Sequence, residues 1–261
     1  MTAYSMRLCV TGLVIFLLTL VVYFPADRAS HFLSAYIPET VIWQKLDGTL
    51  FAPTFHNTTL LITDGRRLQL DRIHLHLFKM PLFAGQIKFQ FDVEVGDGQI
   101  HGTAIFNKSS WQIPKLEGDI ALVSLTNIAP EMVIAGVGGR AIFKGSRIAG
   151  DLQGRSVTGQ LDLMIESLQL GMLNSEKPVG SYMLVLQGTE DKGIHGTLNT
   201  KPAEAQLSVQ GQLALDLNLH DIHFEGRAGA TGSATDAVRS LLPLLGNMES
   251  DQANIVWHTR L

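Results

Sequence analysis

The sequence predicts a mainly β protein: a strongly curved antiparallel β-sheet or β-sandwich preceded by one N-terminal transmembrane helix. Three observations predict it. An uncharged apolar run extends from Leu8 to Phe24, apolar side chains then recur at every second position through many short segments, and glycine-rich turns separate those segments. A chain of 261 residues holds one all-β unit and an anchor without needing a second domain. With 46% hydrophobic and 17% charged residues it has enough apolar surface to fold. A net charge of −4, with no Lys/Arg cluster interleaved with aromatics, excludes a nucleic-acid surface. The single cysteine, Cys9, excludes an intramolecular disulfide. It also lies near the start of the apolar run, whereas a lipid-attachment cysteine follows the end of one.

The anchor comes first. At about 1.5 Å per helical residue the run from Leu8 to Phe24 reaches roughly 26 Å, the lower limit for crossing a bilayer. Tyr23 suits the far interface and Pro25 closes the helix. The α-amino group and Arg7 flank the near side, while Asp27 and Arg28 cancel on the other, so the N-terminus is cytoplasmic. The competing reading, a cleaved signal peptide, needs small residues at −3 and −1, and cleavage after Ala26 puts Phe24 at −3. The expected organisation is a cytoplasmic tail (1–7), a transmembrane anchor (8–25), a connecting segment (26–40) and a β-rich domain (41–261), which in a bacterium is periplasmic.

The strands follow. Gln86 to Val95 alternates strictly, with Ile87, Phe89, Phe91, Val93 and Val95 on one face and Gln86, Lys88, Gln90, Asp92 and Glu94 on the other. Gly96, Asp97 and Gly98 make a turn, and Ile100, Gly102, Ala104 and Phe106 return. Asp64-Gly65 marks a second hairpin, between Leu60 to Thr63 and Leu68 to Leu77. Apolar parity switches there between Leu70 and Ile73, which predicts a bulge near Asp71-Arg72. Gln160 to Leu170, Tyr182 to Leu186 and Leu207 to Leu219 continue the pattern, with a bend at Gly211 or a long curved sheet. About a dozen strands are expected. Thr235 to Leu245 reads as a helix weakened by Pro243, while Ser124 to Val133 and His31 to Tyr36 each suit a helical turn or two. Ile100-His101-Gly102-Thr103 recurs as Ile194-His195-Gly196-Thr197, a faint internal echo.

No catalytic centre is legible. His74 and His76 share one strand face, as metal ligands can, but that is the polar face and no further ligands complete a site; His220 and His223 have the wrong spacing for one face. The chain lacks a nucleophile elbow. Gly136-Val137-Gly138-Gly139 resembles part of a phosphate-binding loop without its βαβ context, and reads as a turn or sheet bend. Asp92 and Glu94, like Asp162 and Glu166, read as a solvated sheet face. No catalytic, metal or cofactor-binding residues are assigned, and no cofactor.

Two short motifs go further. Lys45-Leu46-Asp47-Gly48-Thr49-Leu50-Phe51 precedes the alternating strands, and Pro81-Leu82-Phe83-Ala84-Gly85-Gln86-Ile87 opens the long hairpin. With the C-terminal Leu241-Leu242-Pro243-Leu244-Leu245-Gly246 and a last strand from Asn254 to Leu261, they resemble the type II secretion system protein N (GspN) family. Phe51 stands where that family usually has tryptophan. The resemblance implies a non-enzymatic inner-membrane accessory of the machine that exports folded proteins, bound to inner-membrane platform subunits and to the outer-membrane secretin. Gly48, Thr49, Leu50, Pro81 and Gly85 shape its surface, with turn geometry and packing as their default role. The alternative is an AsmA-like periplasmic lipid-handling protein, whose curved sheet offers a greasy face to acyl chains. A third option is a scaffold whose sheet edges pair with a partner strand.

Overall fold

The computed structural model describes residues 19, 23–33, 39–62, 66–126, 131–154, 156–173, 177–189, 193–201, 205–216 and 221–260. The expected anchor, 8–25, lies outside them except for Thr19 and Tyr23 to Pro25, and so do the Asp64-Gly65 turn, Cys9 and His220. Among the described residues no helix is long and apolar enough to cross a membrane.

The strands, in chain order, are β1 (Val41–Ile42), β2 (Lys45–Thr49), β3 (Ala52–Leu61), β4 (Arg67–Leu77), β5 (Ile87–Val95), β6 (Gly98–Phe106), β7 (Ser110–Ala121) and β8 (Val137–Asp151). There follow β9 (Val157–Leu170), β10 (Gly180–Thr189), β11 (Gly193–Thr200), β12 (Leu207–Asp216), β13 (Asp221–Ala230), β14 (Asn247–Glu249) and β15 (Gln252–Arg260). All belong to one 15-stranded sheet, in which β3 to β13 lie in sequence order, β15 follows β13, and β1 and β2 both pair with β3. Every pairing is antiparallel. The sandwich option is therefore corrected to a single open sheet. Sequential pairing explains it: a strand that follows a short connection pairs with the one just made, as at the turns between β2 and β3, β5 and β6, and β6 and β7.

Alternation sets the two faces. Directly opposed residues share a face, so Ile73↔Val93, Val93↔Ile100, Ile100↔Gly118, Gly118↔Phe143, Phe143↔Leu163, Leu163↔Leu184 and Leu184↔Leu198 trace one apolar row across eight strands. Glycines in such rows make room for aromatic rings from the next strand. A Cβ on Gly102 would sit 2.7 Å from the Phe91 ring, and one on Gly211 would sit 2.5 Å from Phe224. Gly211 pairs in register with both neighbours, so it admits a ring and makes no bend in β12, the first of the two options that the alternation leaves open.

Irregularities fall elsewhere. β8 and β9 shift register twice, between Gly138 and Arg140 and between Ser146 and Ala149. Positive φ at Gly139 (117°), Ser167 (49°), Arg147 (50°) and Gly159 (110°) marks these two bulges, which bend the longest strands. The Gly136 to Gly139 cluster is thus a helix end and a sheet bend. A third shift, between Thr103 and Ile105, lies opposite Pro114, which has no N–H to donate. The parity switch between Leu70 and Ile73 is present, but no bulge carries it. His56↔Arg72 is followed by Thr58↔Leu70, so β3 and β4 step together, with Asn57 at φ 48°.

Five short α-helices accompany the strands among the described residues: α1 (Ala26–Leu33), α2 (Lys79–Phe83), α3 (Glu131–Ala135), α4 (Asp236–Arg239) and α5 (Leu242–Leu245). α1 begins directly after Pro25, earlier than the turn expected at His31. The single helix expected over Thr235 to Leu245 is two. Thr235 caps α4 by accepting from Val238 N–H, while Pro243 fits only the first turn of a new helix, so the chain breaks at Ser240-Leu241. Val238 and Leu242 are buried with Val179, Leu207, Ala228 and Ala253, closing one end of the sheet. At its N-terminal side Ala26, Leu46 and Phe55 form a second cluster, with Trp43 edge-on to Phe55 at 5.5 Å. Burying a side chain such as Leu46 contributes roughly 1.5–3 kcal/mol.

Candidate interaction surface

Three surfaces of the sheet could meet another molecule. The polar face is a lattice of cross-strand ion pairs. Arg72 Nη1 donates to Glu94 at 3.1 Å, His101 Nε2 lies 3.0 Å from Glu117, and Arg140 grips Asp119 through two contacts, Nε at 2.9 Å and Nη2 at 2.8 Å. The Glu117 carboxyl is held below its ordinary range, first by His101 and then by Lys115. Asp47 is lowered by Lys45 and His56. Arg140 is raised by Asp119. These groups are solvent-exposed, where ion pairs set register and solubility more than stability.

The histidines land within this lattice. His74 shares a hydrogen bond of 2.8 Å with Thr54, and His76 meets Phe78 edge-on. They stand on one face, opposite Asp92 and Gln90. His223 lies 4.0 Å from Glu225, and its ring is 6.2 Å from that of His258, which sits 2.6 Å from Asp221 without the alignment of a hydrogen bond. Among the described residues no group of three or more His, Cys, Asp or Glu side chains converges on one point. Asp162 accepts from Gln160 at 2.7 Å, and Asp92 and Glu94 lie on the same polar face.

The apolar face is half-buried along its middle. Phe91, Leu116, Phe143, Leu163, Leu184 and Leu213 are all neither buried nor fully exposed, and among the described residues every strand belongs to this one sheet. Sequence alternation finds these residues but not their cover.

Edges form the third surface. β14 pairs only with Gln252, Ala253 and Asn254, so the outer edge of β15 beyond Asn254 meets no further strand among the described residues. Val256 and Trp257 on this edge are 68% and 51% exposed.

The structure brings the first of the two short motifs that the sequence singled out against Leu77 and Lys79, the segment that leads into the second. In the hairpin of β2 and β3, Gly48 pairs with Pro53 and Thr49 with Ala52, leaving Leu50-Phe51 as the turn. Gly48 needs its φ of 87°, since a Cβ would lie 2.3 Å from the Ala52 carbonyl oxygen. Leu50 N–H donates to the Phe24 carbonyl at 2.9 Å, and Thr49 bridges Pro25. Gly48-Thr49-Leu50 therefore grips the chain where it leaves the Leu8 to Phe24 run. Leu77 N–H donates to the Phe51 carbonyl at 2.7 Å, and Lys79 Nζ stands 5.2 Å over the Phe51 ring. Pro81 and Gly85 close the next turn: Pro81 carbonyl accepts from Ala84 and Gln86, and Gly85 takes φ 71°. No periodicity shows that Phe51 meets Leu77 and Lys79, because that contact depends on the pairing of β2, β3 and β4.

In comparison with known protein families, the sequence model described as type II secretion system (T2SS), protein N, fits residues 41–255. No curated protein and no solved structure matches the chain.

Proposed function

Since the chain belongs to the type II secretion system protein N family, we propose that it is a non-enzymatic accessory subunit of the secretion machinery. It is held in the bacterial inner membrane by residues 8–25 and presents its sheet in the periplasm to neighbouring subunits, platform proteins of the inner membrane and the secretin of the outer one. The observation that carries the mode of contact is the outer edge of β15. A strand edge offers unpaired N–H and C=O groups to an extended partner segment, and Trp257 offers it an apolar anchor.

A second reading, lipid handling, is favoured by one observation, a half-buried apolar row on a sheet to which every strand among the described residues belongs. One experiment separates the two. Photoreactive residues at Val256, at Gln90 and Gln210 on the polar face, and at Phe91 and Leu215 on the apolar face are crosslinked in native membranes. The secretion reading expects protein adducts, to other secretion subunits, at Val256 and the polar face. Phospholipid adducts at Phe91 and Leu215, with no protein adduct elsewhere, would replace it with lipid handling.

A further inference from the structure

The turn built on Pro81 and Gly85 has turn geometry to explain it, but not its surface. Met80 is 80% exposed, Leu82 37% and Ile87 49%, three exposed apolar side chains between the start of α2 and the start of β5. A solvated turn connecting two strands has no need of them. The charge around them is one-sided. Between Asp71 and Asp92 the sequence has no carboxylate, yet carries Arg72, Lys79 and Lys88. Arg72 is taken by Glu94. Lys79 and Lys88 instead stand over aromatic rings, 5.2 Å from Phe51 and 5.0 Å from Phe78, which holds both stems upright beside the apolar cluster.

Position adds the second argument. The turn lies on the rim of the sheet where Phe24 and Pro25 are bonded to Leu50 and Thr49, two strand spacings, roughly 10 Å, from Phe24, the last residue of the apolar run. The same rim continues through exposed Lys108 and Leu152, in the next two turns along. Apolar side chains flanked by lysines, on the rim from which an anchor departs, are the chemistry that enters the boundary between headgroups and acyl chains of an anionic bilayer.

The geometry points to the α2 turn, Lys79 to Ile87, as a membrane-surface contact: Met80 and Leu82 enter the bilayer boundary while Lys79 and Lys88 meet anionic headgroups. With the anchor, it gives the domain two points of attachment and sets the sheet upright on the membrane. This rests on reading residues 8–25 as the anchor.

The test uses the full chain in vesicles of phosphatidylethanolamine and phosphatidylglycerol containing nitroxide-labelled lipid. An environment-sensitive fluorophore is placed on native Cys9, or, in a Cys9→Ser background, on Met80→Cys or on Ile134→Cys. Ile134 is 86% exposed and belongs to the opposite rim, so it serves as the control. The expected result is a blue shift and nitroxide quenching at position 80, reporting a depth of about 5–10 Å, and neither at 134. Lys79→Glu combined with Lys88→Glu is expected to abolish the quenching at 80 while leaving Cys9 quenched. An unquenched probe at 80 with Cys9 quenched would overturn the contact and leave the anchor standing. Equal quenching at 80 and 134 would overturn it too. An unquenched Cys9 would overturn the anchor itself, whatever position 80 reports.

Discussion

Tyr182 ties the sheet to its closed end from inside. Its hydroxyl donates to the Leu207 carbonyl at 3.0 Å, and burial pushes its pKa from 10.0 up to about 12. The folded state thus keeps the phenol proton to a higher pH than the unfolded chain does. Its contribution is complete below pH 10 and falls as pH rises from about 10 to about 12. Tyr182→Phe is expected to destabilise the protein by about 0.5–1.5 kcal/mol at neutral pH, for the lost hydrogen bond, and to flatten that alkaline loss. Denaturant titrations of both proteins at pH 8 and above check this. Gly48 is constrained differently. Gly48→Val is expected to cost at least about 1–3 kcal/mol, because a side chain there meets both the left-handed backbone and the Ala52 carbonyl. It should also loosen the grip of Thr49 and Leu50 on Pro25 and Phe24, so proteolysis after Phe24 quickens. Unchanged melting and unchanged cleavage would dismiss that role.

Elements here depend on what they lie against more than on their own propensity. α4 and α5 are four residues each, too short to persist alone, and stay folded because Val238 and Leu242 are buried against β12, β13 and β15. Leu242→Ala is expected to cost about 2–4 kcal/mol. Hydrogen exchange should then accelerate through 236–249 before it does in β13. Their division was half legible: Pro243 stood in plain view within an apolar stripe of helical spacing, and the stripe proved to be the buried face of two turns. The strands were easier to read. β5 and β6 run within a residue of the alternation that predicts them, since a sheet with one apolar face imposes a period of two on every residue. Of the two bulges of β8 and β9, the one at Gly139 was legible as a sheet bend in the Gly136 to Gly139 cluster, whereas the one at Arg147 was not, because Arg147 takes positive φ without a sequence mark of its own.

As a whole the molecule is a meander in which each strand from β3 to β13 touches the strands before and after it, so its energetics are close to those of a one-dimensional array. Damage should therefore stay local. Phe143 lies over Gly118 and beside Leu163, and Phe143→Ala is expected to lower exchange protection in β7, β8 and β9 while β12 to β15 keep theirs. Uniform loss across the chain would show a cooperativity that the topology does not suggest. The sequence by itself determined that this is a β protein with one apolar and one polar face, turned at glycines and aspartates, since pleat and turn chemistry act within a few residues of each other. It determined the family resemblance as well, through Gly48 to Phe51 and Pro81 to Ile87. Only the tertiary structure decided that the described strands make one open sheet and not two packed ones, and that the first motif bonds Phe24 on one side and the segment leading into the second motif on the other. The reason is physical: alternation states which side of a strand avoids water, but what covers that side depends on partners far along the chain.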